Sequence, residues 1–149
     1  MAAKKKIVRP PKPIPPPPRR PVLIFTRNGV VIGRVVAPPG ANDVRLFFNF
    51  GFGWWTRNGA FLPNGGFLFP PLTNDFHFSL TGQVKPGARP LIPPPGANDL
   101  EIIWDEKKQE IIEAWWTQNG ERMDRIPLTQ NQSDFDCALN PEQMPRTTR

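Results

Sequence analysis

Two stretches decide the fold: "PPGANDVRLFFNFGFGWWTRNG" at Pro38–Gly59 and "PPGANDLEIIWDEKKQEIIEAWWTQNG" at Pro94–Gly120. Both open on the same hexapeptide, run through an apolar segment, and close on a tryptophan pair followed by Asn-Gly. The match continues outward. Val35-Val36 corresponds to Leu91-Ile92, and "PLTNDFHFSL" at Pro71–Leu80 corresponds to "PLTQNQSDFDCAL" at Pro127–Leu139, with three residues inserted before the aspartate. Self-similarity at a fixed period marks a repeated supersecondary unit, and here it divides residues 22–80 from 81–139, about 59 residues each.

Each unit reads as β structure. Val44–Phe48 and Leu100–Trp104 follow the aspartate of the hexapeptide and are rich in β-branched and aromatic residues. The Trp pairs end the next strands, and the Asn-Gly that follows tolerates the positive φ of a tight hairpin turn. Thr26–Gly29 repeats that turn near the start. Asp105–Gln109 ("DEKKQ") predicts a charged hairpin tip where the first unit has the compact Asn49–Gly53. The only helical alternative, Asp105–Trp116, conflicts with the strand position that the first unit assigns to it. The expectation is an all-β chain of about five short strands per unit, the two tandem repeats packed on each other as a β-sandwich or barrel-like body.

In "PPGAND" the prolines set an extended lead-in, Gly40 or Gly96 permits the bend, and the Asn-Asp side chains bond nearby backbone amides. The hexapeptide lacks the further oxygen ligands of a calcium loop and the GK[ST] ending of a phosphate loop. It carries shape.

Consecutive strand residues point to opposite faces, so each Trp pair divides. Trp55 and Trp116 fall in phase with Gly53, Ala114 and Ile112, the expected inner face. Trp54 and Trp115 fall in phase with Glu113, Thr56 and Thr117. Either the two units bury this second apolar face against each other, or Trp54 and Trp115 are partner-facing aromatics.

The lone reactive residues carry no chemistry on this reading. Cys137 stands where the first unit has Phe78, as a small core hydrophobe, and one cysteine excludes an internal disulfide. His77 corresponds to Asp136 and is expected on the surface. With one histidine there is no Ser/His/Asp or Cys/His set, and the acids of "DEKKQE" alternate as a solvated strand face does. No catalytic residue, metal ligand or cofactor site is expected, and the chain is read as non-enzymatic.

Net charge is +6, but it is unevenly placed. Residues 1–21 hold Lys4, Lys5, Lys6, Arg9, Lys12, Arg19 and Arg20 with no acid, leaving 12 basic against 13 acidic residues from Val22 onward. The same 21 residues contain eight prolines, which favour an extended polyproline II path and exclude helix and sheet. Residues 140–149 form a short polar tail. No secretory leader or membrane span of ~18 apolar residues is expected.

A basic, proline-rich arm on a compact β body leads to the expectation of a structural protein in a large assembly. By analogy with viral and phage shells, this is a capsid decoration (cement) or minor virion protein, made in the host cytoplasm and located in the virion. Its partners would be protein subunits of a capsid lattice or further copies of itself, with the arm as partner-binding element. Two other classes stay open: a nucleic-acid-associated protein neutralising phosphates through the arm, and a carbohydrate-binding module using exposed Trp faces.

Overall fold

A computed structural model describes residues 20–82 and 91–139. It is all-β, with two packed sheets. Ten strands follow in order: β1 (Val22–Arg27), β2 (Val30–Val36), β3 (Asp43–Phe47), β4 (Phe52–Arg57), β5 (Ala60–Leu68), β6 (Asp75–Ser79), β7 (Asp99–Asp105), β8 (Glu110–Gln118), β9 (Glu121–Arg125) and β10 (Asp134–Ala138). One sheet has the order β5-β4-β3-β7-β8-β9 and the other β10-β6-β1-β2. Instead of about five strands in each unit, residues 22–80 supply six and the described part of residues 81–139 supplies four. Leu91 makes a parallel bridge to Cys137; residues 83–90, which match part of the β1–β2 hairpin of the first stretch, lie outside the described residues.

The matched stretches are not divided one to each sheet. Each contributes strands to both sheets, and the two stretches join within the larger sheet at β3–β7 and within the smaller at β6–β10. Both junctions are antiparallel and similarly centred. Arg45 pairs with Glu101, and His77 with Asp136, the very residues that the sequence match makes equivalent.

The core lies between the sheets. Leu23, Phe25, Phe76, Phe78 and Cys137 pack from the smaller sheet toward Val44, Leu46, Trp55, Leu100, Ile102, Trp104 and Trp116. Trp104 links the layers, its ring centroid 5.4 Å from Phe78 and 6.1 Å from Trp55. Each such large side chain, fully buried, contributes roughly 1.5–3 kcal/mol of transfer free energy. Trp55 and Trp116 point inward as their phase requires. Ile112 does not. Trp104 pairs with Ile111 while Ile103 pairs with Glu113, so a bulge removes Ile112 from the alternation. Ile111 is buried and Ile112 is exposed.

Three Asn-Gly turns close hairpins with both residues at positive φ: Asn28 and Gly29 at 50° and 82°, Asn58 and Gly59 at 49° and 83°, Asn119 and Gly120 at 53° and 84°. This is the geometry whose twist matches paired strands. Each turn is gripped from outside by an Asn-Asp dipeptide. The Asn42 amide donates to Asn58 Oδ1 at 2.8 Å while its own oxygen accepts the Asn58 N–H at 2.8 Å. Asn98 and Asn119 repeat this at 2.9 and 3.0 Å, and Asn74 and Asn28 at 2.8 and 3.1 Å. Asp43 and Asp99 complete two clasps by accepting the N–H of Gly59 and Gly120. The hexapeptide therefore carries shape, but its polar pair reaches a hairpin 16 or 21 residues away, where nearby amides were expected.

Candidate interaction surfaces

The outer face of the larger sheet is built from the strand residues that alternate with the core. Trp54 and Trp115 both lie there, opposite Arg45 and Glu101 across their respective strand pairs. Between them Glu101, with a side chain only 6 % exposed, accepts from Arg122 Nε at 3.0 Å and pairs with Arg45 Nη2 at 3.3 Å. Two guanidinium groups offset the desolvation of one carboxylate.

The two tryptophans are held differently. Trp54 donates to the Leu62 carbonyl at 2.8 Å, its centroid is 5.5 Å from Phe61, and its ring lies on Gly66. A Cβ at Gly66 would come within 2.7 Å of that ring, so glycine is required there. Trp115 donates to Glu113 Oε1 at 3.3 Å, and the guanidinium groups of Arg122 and Arg125 lie 4.9 and 5.9 Å from its ring centre. Phe61 and Arg122 fill matched positions, one apolar and one cationic.

The face therefore has two unlike halves. On the β3–β4–β5 side Phe47 stacks on Phe52 at 4.9 Å, Phe50 lies 6.4 Å from Phe52, and Phe50, Phe61 and Leu68 are 62 %, 55 % and 79 % exposed. On the β7–β8–β9 side the matched positions include Glu113 and Arg122. A second exposed apolar run, Val30, Val31, Ile32 and Val36, lies along β2, the edge strand of the smaller sheet.

The side of the smaller sheet turned away from the core holds Asp75, His77 and Asp136, with Asp134 one pair further along. His77 is 3 % exposed, and its Nε2 lies 3.1 Å from Asp134 Oδ2. It is a buried histidine paired with a carboxylate, not the surface residue expected. Burial and a hydrogen bond to the Asp136 carboxyl push the Asp75 pKa up to about 8. Burial, with smaller contributions from Asp75 and Asp136, also pushes the Cys137 thiol well above its ordinary range. Among the described residues no three His, Cys, Asp or Glu side chains are placed to hold a metal ion.

Of the arm cations, Arg20 is described and exposed, whereas Lys4, Lys5, Lys6, Arg9, Lys12 and Arg19 lie outside the described residues, as does the 140–149 tail. What the fold defines is a two-layer all-β protein with an apolar half-face and an apolar sheet edge. No family model, no curated protein and no solved structure matches the chain.

Proposed function

We propose that this chain is a non-enzymatic structural protein of a large assembly, a capsid decoration or minor virion subunit by analogy, whose basic proline-rich arm tethers it to neighbouring subunits. The body would be two tandem units arranged as a β-sandwich about a pseudo-two-fold axis. One observation carries the reading. Of the ten exposed large apolar side chains among the described residues, seven lie in two patches, the β2 edge and the aromatic half-face, and such patches favour contact with other proteins. Trp54 and Trp115, flanked by Gly66 and by arginines, favour the carbohydrate reading less, because a sugar-stacking ring needs an open face.

The test separates a protein lattice from nucleic acid. Removing residues 1–21 should leave the body folded and weaken self-association in sedimentation velocity. Replacing the arm prolines with Gly/Ser while keeping all seven cations should also weaken it, because the loosened arm loses more entropy on docking. Self-association unchanged by the deletion, together with duplex DNA binding whose log–log salt slope approaches roughly −6, would replace this reading with the nucleic-acid one.

A further inference from the structure

We infer that the aromatic half-face of the larger sheet is the receptor for the proline-rich arm of a second copy. This rests on the tethering reading above and names the surface that receives the tether. The surface is a shallow groove of about 420 Å³ whose lining includes Phe52, Trp54, Asn64, Gly66 and Leu68, with Phe50 and Phe61 exposed beside it.

Three features fit that occupant. Grooves paved with aromatic rings take polyproline II segments, because the proline rings present flat apolar faces and the backbone is already ordered. The chain carries a sequence that favours this form, "PPKPIPPPPRRP" at Pro10–Pro21. Its reach is adequate: the 19 residues before Arg20 would span about 60 Å at ~3.1 Å per residue. The arm also joins the body at β1, in the smaller sheet, whereas the groove lies on the outer side of the larger one. A run such as Pro15–Pro18 resists the reversal needed to reach its own groove, which favours the groove of a neighbour.

The contrast between the two half-faces points the same way. The matched positions Phe52 and Glu113, and Phe61 and Arg122, share one strand framework. Only the first of each pair leaves apolar surface open, and a framework that tolerates charge in one half has no structural need for exposed phenylalanines in the other.

The experiment titrates a fluorescent synthetic peptide of residues 1–21 into the full-length protein and follows anisotropy, with circular dichroism confirming the fold of each variant. Phe50→Ser combined with Leu68→Ser removes two exposed side chains and should weaken peptide binding tenfold or more. A Gly/Ser peptide with the same cations should bind at least fivefold more weakly, and excess parent peptide should reduce self-association of the full chain. Val31→Ser, at the exposed β2 edge, should leave peptide binding unchanged. Parent-like binding by the groove variant, loss of binding in Val31→Ser, or no peptide binding at all would overturn the inference. The tethering reading fails separately, if removing residues 1–21 leaves self-association unchanged.

Discussion

Arg45 and Glu101 face each other across the β3–β7 junction, 3.3 Å apart, and are each other's counterpart in the two matched stretches. A strand paired with an identical copy about a two-fold axis would set like against like at this place. In one chain the two positions can differ, and here they form an ion pair at the centre of the sheet. At the second junction the paired positions also differ, His77 facing Asp136 in register while its ring contacts Asp134.

Glu101 is shared by Arg45 and Arg122, so loss of either arginine leaves it one partner. Arg45→Gln and Arg122→Gln should each cost ~1 kcal/mol or less. The double variant should cost more than their sum by about 1 kcal/mol or more, since the carboxylate is then buried without a cation. Urea unfolding of the four proteins measures this, and simple additivity would refute it.

Asp75 makes the protein less stable as pH rises. Its folded pKa, near 8, is far above the ordinary carboxylate value of 3.8, so above about pH 4 the folded state retains a proton that the unfolded chain releases. The stabilising contribution is complete below that value and is lost progressively up to about pH 8. Asp75→Asn should abolish this component, raising the melting temperature at pH 8.5 relative to the parent by on the order of 5 °C and leaving little difference at pH 4. Thermal unfolding at the two pH values decides it.

Cys137 is fully buried and packs in the core. Thiol reagents should label the native protein only at the rate of its unfolding. Cys137→Ser should destabilise by about 1–3 kcal/mol, as a hydroxyl buried without an assured partner does. Rapid labelling of the folded protein would contradict this.

The asparagine clasps should be worth a measurable and independent amount. Asn42→Ala and Asn98→Ala each remove two hydrogen bonds to a hairpin turn and should each cost about 1–2 kcal/mol. The costs should add, because the two clasps serve different hairpins. Chemical denaturation of the single and double variants tests both statements.

The strands, the Asn-Gly hairpins, the inward Trp55 and Trp116 and the burial of Cys137 were legible because each depends on local chemistry or on a period of two. Neighbour choice was not legible, because alternation assigns a side chain to a face without saying which strand lies beside it. The joining of the matched stretches through β3–β7 and β6–β10 was therefore missed. His77 failed for a related reason: phase placed it away from the core, but phase does not report whether that side is open to water. At Ile112 a single bulged residue reversed the parity. The aromatic half-face was half visible, since Trp54 was singled out while Phe50, Phe61 and Leu68 were not. Comparison of Phe61 with Arg122 across the two stretches was the signal that could have found it.

The clasps also bear on how this protein ages. Asn-Gly is the dipeptide most prone to spontaneous cyclisation, in which the glycine nitrogen attacks the asparagine side-chain carbonyl and expels ammonia, because glycine offers little steric hindrance. At two of the turns that nitrogen is engaged, with Gly59 N–H held by Asp43 and Gly120 N–H by Asp99. The same turns have the asparagine oxygen held by Asn42 or Asn98. Cyclisation requires the glycine nitrogen to approach the carbonyl carbon, which the clasped turn prevents without opening, so decay at these turns is expected to follow loss of the clasp.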